Sequence, residues 1–270
     1  MFPTLAERMK AVLPLRLKLL SQKLRPLPKR FVCPVCNCKL SRFAPLSDHY
    51  IRELDAHQHV HSIFALETMN VLQYECTRCH APDRDRLYAL YLARRCTAKT
   101  KFVEFAPAPA LSRFIKAIPT VEHRSADLYD VRADDRVDLT EIPYPDASID
   151  AFLASHILEH IPDDRKAMRE LHRILKPGGW GIAMVPIQLT LDTTLEGLSI
   201  DSDASRWKYY GQHDHVRLYS KQDFVARLRD AGFVVKQLGI DFFGKNTFEK
   251  HGIHPRSVLY VVEKPSSTPT

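Results

Sequence analysis

Short apolar runs alternate with amphipathic stretches over the last two thirds of the chain. Runs of this length are typical of buried strands, and the stretches between them have the apolar spacing of helices. The predicted strands are Lys101–Phe105, Val121–Ala126, a short one ending near Asp138, Ile149–Ser155, Trp180–Pro186, Phe233–Ile240 and Ser257–Val262. The predicted helices are 83–95, 110–117, 163–175 and 221–231. This alternation predicts an α/β domain with a mainly parallel sheet, and the last two strands, joined by a loop without a strong helix, suit a terminal antiparallel pair.

The first 30 residues follow another pattern. They hold eight Lys/Arg and one acid among apolar residues at helical spacing, which predicts a basic amphipathic helix in 1–30. The other 240 residues are balanced, with 31 bases and 31 acids, so the net charge of +7 belongs to this arm and does not by itself indicate nucleic-acid binding. Basic residues interrupt the arm too often for a membrane span or a signal peptide. Either it packs on its own domain, or it makes a peripheral contact with an anionic membrane.

Four cysteines occur as two C-x-x-C pairs. Cys33 and Cys36 are separated from Cys76 and Cys79 by 39 residues, and each pair can present two thiolates to one ion. Since no export signal is apparent, we expect a cytoplasmic, reducing compartment, where metal binding is favoured over disulfides. We therefore predict a structural Cys₄ Zn²⁺ site. Cys38 and His80 are spare potential ligands, whereas the neighbouring histidines at 57, 59 and 61 are interpreted as part of a polar loop or an exposed helix.

These patterns divide the chain into four parts. They are the basic helix at 1–30, a zinc-binding module with a linking helix at 31–99, the α/β domain at 100–264 and a disordered tail at 265–270.

Acidic residues end three successive elements of the α/β domain. Glu104 ends the first strand and is followed by alanines at 106, 108 and 110. Asp127 follows the second strand, 23 residues later, where nucleotide-binding folds place an acid on ribose hydroxyls. Asp138 and Leu139 follow the third, before the turn that leads to the fourth strand.

The run DLTEIPYPDASIDAFLASHILEHIPDDRKAMRELHRILKPGGW, residues 138–180, makes a resemblance specific. It resembles class I S-adenosylmethionine-dependent methyltransferases of the small-molecule type, over roughly residues 100–263. The resemblance implies a Rossmann-like seven-stranded sheet with S-adenosylmethionine as cofactor. It places Glu104 near the methionine end, Asp127 on the ribose and Asp138 with Leu139 at the adenine. It also implies that Ser155 and His156 line the methyl-transfer side.

The first loop departs from the family pattern. Three glycines are usual where this chain has Ala106, Ala108 and Ala110, with Pro107 and Pro109 between them. Each alanine adds a methyl group and disfavours positive φ, and each proline removes a backbone donor. The loop then either binds the cofactor in a shifted pose or has lost it. Because all three acids are kept in order, we expect cofactor binding to be retained.

The segment after the fifth strand is rich in chemically active side chains. Residues 206–219 read RWKYYGQHDHVRLY, and loops at this edge of a parallel sheet lie over the ligand. We predict His213 or His215 as a general base, Asp214 as its orienting acid and Arg217 as an anchor for a carboxylate. The alternative is that one of the histidines only caps the next helix.

His156, Glu159 and His160 also match the inverted zinc-protease motif H-x-x-E-H. That chemistry needs a helix that holds both histidines on one face. Here the motif follows a strand directly and Pro162 comes two residues later, so we do not interpret it as a protease site.

The predicted function is methyl transfer to a small-molecule, saccharide or lipid-linked acceptor. Neutral charge beyond residue 30 argues against a long nucleic-acid footprint, which needs many phosphate contacts. Two alternatives stay open: a zinc-ribbon RNA methyltransferase, and a non-catalytic zinc and Rossmann scaffold without cofactor.

Overall fold

The computed structural model describes residues 30–197 and 199–266. The predicted basic helix and most of the predicted C-terminal tail lie outside these residues. Within them, no helix is both long enough and apolar enough to cross a membrane.

The described part of the chain folds into short strands and helices in alternation. The strands are β1 (Phe31–Val32), β2 (Lys39–Leu40), β3 (Thr100–Phe105), β4 (Val121–Asp127), β5 (Asp135–Arg136), β6 (Ile149–Ser155), β7 (Leu175–Met184), β8 (Leu195–Glu196), β9 (Arg217–Leu218), β10 (Val234–Leu238) and β11 (Leu259–Glu263). The α-helices are α1 (Asp48–Ala56), α2 (Asp83–Arg95), α3 (Pro109–Lys116), α4 (Asp164–Ile174), α5 (Asp203–Tyr210), α6 (Lys221–Asp230), α7 (Ile240–Phe243) and α8 (Lys245–His251).

Seven strands form one central sheet in the order β10-β11-β7-β6-β3-β4-β5. β3, β4, β5, β6 and β7 are parallel, and β11 is antiparallel to both of its neighbours. The predicted mainly parallel seven-stranded sheet with a terminal antiparallel pair is therefore confirmed. Strands β3 and β6 lie at the centre, so their carboxyl ends meet at the middle of one sheet edge.

Apolar side chains from the strands and from the helices that pack on them form the core of the sheet domain. Phe102, Phe105 and Phe152 are buried, and α4 turns Leu171 and Ile174 inward. Close packing explains Gly181 in β7, because a Cβ there would lie 2.4 Å from the Phe152 ring.

Two features differ from the sequence prediction. The segment between β10 and β11 contains two short helices, α7 and α8, where a loop without a strong helix was predicted. Strand β7 begins at Leu175, which pairs with Ile149, and the pairing resumes at Trp180 opposite Ala151, so the Lys-Pro-Gly-Gly residues form an irregularity with Gly178 at φ +76°. Strand β5 is two residues long and ends at Arg136, near Asp138 as predicted.

The cysteine-bearing region packs directly on the sheet domain. Buried Arg86 in α2 donates from its guanidinium to backbone carbonyls of residues 73, 74, 81, 251 and 252. The guanidinium carbon also lies 3.9 Å from the centre of the Phe43 ring. The Tyr50 hydroxyl donates to the carbonyl of Gly211, which joins α1 to the end of α5. Residues 43–74 thus form a wall above the carboxyl ends of β6 and β7.

Candidate active site

The acid at the end of β3 closes the first loop. Glu104 is buried, and its Oε1 accepts from the Ala108 backbone N–H at 3.3 Å. Its Oε2 lies 2.8 Å from Nε2 of His123 on β4. The carboxylate therefore fixes the loop where it leaves the sheet.

A second buried acid lies near Glu104. Asp85, in the first turn of α2, is 3% exposed, and its Oδ2 has no hydrogen-bond partner among the described residues. Burial and the negative charge of Glu104 raise the pKa of Asp85 to about 6, although Arg84 opposes the shift. Two neighbouring acids with an unsatisfied oxygen favour a cationic ligand group, such as the ammonium of an amino acid.

The alanine loop keeps the conformation that glycine usually provides. Ala106 has φ +50°, in the left-handed region that alanine adopts at a cost of roughly 1–2 kcal/mol. Ala108 has φ −89° and needs no such conformation. Pro109 is the first residue of α3, where a missing N–H costs no hydrogen bond. The substitutions therefore keep the turn, with strain concentrated at Ala106.

The other two predicted cofactor acids cap turns. Asp127 Oδ1 accepts from the backbone N–H groups of Tyr129 and Asp130 and fixes the turn after β4. Asp138 is exposed and caps Thr140 in the same way, while Leu139 beside it is buried. The structure therefore places Glu104, Asp127 and Asp138 at or just after the carboxyl ends of β3, β4 and β5, at the positions that the sequence predicted.

The end of β6 carries two further predicted residues. The Ser155 hydroxyl lies 2.9 Å from the hydroxyl of buried Tyr88, so it is already engaged with α2. His156 has φ +56°, and its N–H donates to the Met184 carbonyl at the end of β7. Burial and the positive charge of Arg84 lower the pKa of His156 to about 4, so its ring is neutral at pH 7.

A cleft of about 470 Å³ opens beside His156. The sheet edge supplies its floor, with Pro186 and Gln188 after β7, and the cysteine-bearing region supplies Tyr50, Tyr74 and other wall residues. The remaining polar lining residues are Ser47, His59, Ser62, Arg84, Glu159, His160, Tyr210, Gln212 and His215. Its volume is within the range of small-molecule sites.

Three lining residues form a compact cluster, here called the histidine cluster: Glu159, His160 and His215. Their potential ligand atoms all lie within 4.8 Å of one another. The rings of His160 and His215 meet edge to face, with centroids 4.7 Å apart. Glu159 and His160 belong to a single 3₁₀ turn, whereas His215 arrives from the loop after α5.

The structure changes the roles predicted for the 213–217 segment. His215 is buried in the cleft, but His213 is exposed and does not line it. Asp214 contacts His160 Nδ1 at 3.2 Å, so the histidine it orients is not one of the two predicted. Arg217 is buried and donates to Glu196 and to the carbonyls of residues 158, 161 and 162. Arg217 therefore binds a carboxylate of the protein itself and does not line the cleft, which leaves its predicted role as an anchor for a substrate or cofactor carboxylate without support.

The cysteines form a second compact cluster, here called the cysteine cluster: Cys33, Cys36, Cys76 and Cys79. Their sulfur atoms lie within 4.8 Å of one another. The Sγ distances are 3.7 Å between Cys33 and Cys79 and 3.8 Å between Cys36 and Cys76. The spare ligands are not part of it, since His80 contacts Glu75 and the cluster has four sulfurs without Cys38. The arrangement can hold one tetrahedral metal ion.

Comparison with known proteins shows which proteins this chain is similar to. Residues 87–183 match the model of a methyltransferase domain. A 27-O-demethylrifamycin SV methyltransferase from Amycolatopsis mediterranei is 34% identical over 117 residues, which cover 42% of this chain and 41% of that protein. A ubiquinone/menaquinone biosynthesis C-methyltransferase from Brucella anthropi is 33% identical over 107 residues, 34% of this chain and 40% of that protein.

The chain thus spans about two fifths of the length of the curated relatives it matches. Among solved structures, the YcgJ protein from Bacillus subtilis is similar with a TM-score of 0.46 and 16% identity, over 68% of this chain and 99% of that one. The segment that matches the methyltransferase-domain model runs from α2 through β7 and includes Glu104, Asp127, Asp138 and His156. The domain model and the sheet topology agree, so the segment from α2 through β7 is similar to a methyltransferase domain.

Proposed function

We propose that the protein transfers the methyl group of S-adenosylmethionine to a small acceptor held in the 470 Å³ cleft. The observation that carries this proposal is the continuity of the site at the end of β6. There, β6 leads to His156, which lines the cleft, and the next strands in the sheet, β3, β4 and β5, carry the three acids at or just after their carboxyl ends.

The residues present fit the cofactor. Asp85 and Glu104 offer carboxylates to the cationic methionine end, and Ala106 keeps the left-handed turn that lets the backbone approach the ligand. Asp127 still has its second carboxylate oxygen for a ribose hydroxyl, because the turn contacts use Oδ1. When bound, S-adenosylmethionine supplies an electrophilic methyl group.

The chain's own contribution is then mainly positioning. A cleft walled by residues 43–74 excludes water and holds the acceptor in line with the methyl group. His156 is neutral, held by the Met184 carbonyl, and placed to accept a hydrogen bond from the acceptor. Of the two histidines predicted as a general base, only His215 lines the cleft, together with His59 and His160.

A small acceptor suits the shape of this site. The cleft is narrow and bounded by α1, α5 and the loop after β7, and its volume matches small-molecule ligands. A saccharide or lipid-linked acceptor would place its remainder outside the cleft. The predicted membrane contact through residues 1–30 stays a prediction, since these residues lie almost wholly outside those described.

We also propose that the cysteine cluster holds a structural Zn²⁺ ion. A tetrahedron of thiolates with Zn–S bonds of ~2.3 Å has sulfur separations of ~3.8 Å, close to the two separations of 3.7 and 3.8 Å. Four protein ligands leave no open position, so this ion would stabilise the wall of the cleft without acting in catalysis.

Calorimetric titration with S-adenosylmethionine and S-adenosylhomocysteine tests the function. We expect micromolar binding of both ligands, lost in Asp127→Ala and kept in Asp230→Ala, which removes only an exposed acid paired with Arg165. Absence of binding to folded wild-type protein would favour the scaffold alternative. Equal binding in both variants would show that Asp127 does not hold the ribose.

A further inference from the structure

The histidine cluster has the composition of a metal site with open positions. It combines one carboxylate, from Glu159, with two imidazoles, from His160 and His215. Ligand atoms held ~2.1 Å from one ion lie up to about 4 Å apart, so small side-chain rotations bring the three within bonding distance. Two imidazoles and one carboxylate suit Zn²⁺, Fe²⁺, Co²⁺ and similar ions.

The burial of Glu159 is the observation that indicates a bound cation. The residue is fully buried, yet neither carboxylate oxygen has a hydrogen-bond partner among the described residues. Nδ1 of His156 lies 3.3 Å from Oε1, without a hydrogen bond of good geometry. An ionised carboxylate left in this state is costly, and a bound cation would satisfy it.

Each of the two imidazoles has a ring nitrogen available for a ligand. His215 is 5% exposed, and its Nδ1 has no partner in the described structure. His160 Nδ1 contacts the carboxylate of Asp214, which leaves Nε2 for a ligand. A carboxylate behind a metal-binding histidine is the usual way in which the ring is oriented and made more basic.

The position of the cluster indicates what the ion would do. All three residues line the cleft in which we place the acceptor, next to His156. Three protein ligands leave coordination positions for other molecules, unlike the closed cysteine cluster. An oxygen of the acceptor is the natural occupant, and a metal ion both orients such an oxygen and lowers the pKa of a bound hydroxyl.

We propose that Glu159, His160 and His215 bind a divalent transition-metal ion that coordinates an oxygen of the acceptor. The substrate class is then a hydroxylated or carbonyl-bearing small molecule. The assignment of this oxygen to a methyl acceptor rests on the proposed function, whereas the metal site itself does not.

Cobalt reconstitution of the full chain tests the site without any turnover. We expect two Co²⁺ ions per chain, one with the intense near-ultraviolet absorption of thiolate ligands and one with only weak visible bands. Glu159→Gln and His215→Ala should each bind one ion and keep the thiolate absorption. His213→Ala is the matched control, because this exposed neighbour lies outside the cleft, and it should bind two.

Glu159→Gln keeps the shape of the side chain and removes a buried charge, so we expect it to fold. Wild-type protein with a single ion and the thiolate signature would overturn the proposal, as would two ions in both cluster variants. Acetohydroxamate, a probe with two oxygen donors, should shift the weak visible bands of wild-type protein. No shift would overturn the assignment of an acceptor oxygen. Titration of the same samples with S-adenosylhomocysteine separates failure of the metal site from failure of the proposed function.

Discussion

The cysteine cluster and the histidine cluster are both compact groups of potential metal ligands, but they differ in the number of protein ligands and in access from the cleft. The cysteine cluster has four sulfurs within 4.8 Å of one another, two pairs of them at the spacing of a filled tetrahedron, and is surrounded by a small apolar core that includes Leu40, Phe43 and Ala110. The histidine cluster has three ligands and faces a cleft. Closed geometry indicates that an ion would stabilise the fold, whereas open geometry indicates that it would bind a substrate.

The largest effect expected from this difference is on folding. Cys76→Ser should unfold the cysteine-bearing region, because structural zinc contributes on the order of 10–16 kcal/mol in small zinc domains. Limited proteolysis should then cut within residues 31–82, and a strong chelator should have the same effect on wild-type protein. Cys38→Ser is the control, since Cys38 lies in the β1–β2 hairpin beside Cys33 and Cys36 but outside the cluster, and it should stay resistant. Resistance of Cys76→Ser would contradict a structural role for the ion.

A second effect should come from the residue that ties this region to the sheet domain. Arg86→Ala leaves the carbonyls that it bonds without a buried donor, so we expect a loss of ~3–5 kcal/mol in the free energy of unfolding. Urea denaturation measures this loss. Arg95→Ala, which removes an exposed guanidinium 5.5 Å from the Trp180 ring, should cost less than about 1 kcal/mol. Similar values for the two variants would mean that the cysteine-bearing region is not held through Arg86.

The histidine cluster should respond differently, through affinity and without loss of fold. Asp214→Asn weakens the orienting contact on His160 and should lower Co²⁺ affinity at the open site by about tenfold to a hundredfold. Competition with a metal indicator measures the change, and the thiolate absorption should be unaffected. Unchanged affinity would show that Asp214 does not support a metal ligand.

The smallest effect concerns the strain at Ala106. Ala106→Gly should raise the free energy of unfolding by about 1 kcal/mol, because glycine adopts the left-handed conformation without penalty. Ala147 has φ +49° in the turn before β6, so Ala147→Gly should give a similar gain. Only the first variant should change S-adenosylhomocysteine affinity. Equal affinities in both variants would show that the loop does not approach the ligand.

The cysteine cluster could be predicted because its four ligands come from two short sequence motifs. Each C-x-x-C pair forms one turn, so only the pairing of two turns had to be inferred. The sheet was equally accessible, since strands β3, β6 and β7 are short, mainly buried runs that alternate with helices, and such an alternation predicts a mainly parallel sheet. The helices α7 and α8 were not predicted, because short elements depend on tertiary contacts more than on their own pattern.

The histidine cluster could not be derived in the same way. Glu159 and His160 were visible in the H-x-x-E-H motif, but their third partner, His215, lies 55 residues further along the chain. The motif was rejected as a protease site for a sound reason, since it forms a 3₁₀ turn and not a long helix. The sequence did not show that residues 43–74 fold over the carboxyl ends of the strands. This packing is what creates the cleft.

A crystal structure of the full chain with S-adenosylhomocysteine and Co²⁺, with anomalous data at the cobalt edge, would show whether cofactor, metal ion and acceptor share one site. We expect the ribose on Asp127, the ligand sulfur directed toward the cleft beside His156, and cobalt at Glu159, His160 and His215. A ligand bound elsewhere, or a cleft without cobalt in crystals whose cysteine cluster is filled, would contradict a shared site for cofactor, metal ion and acceptor.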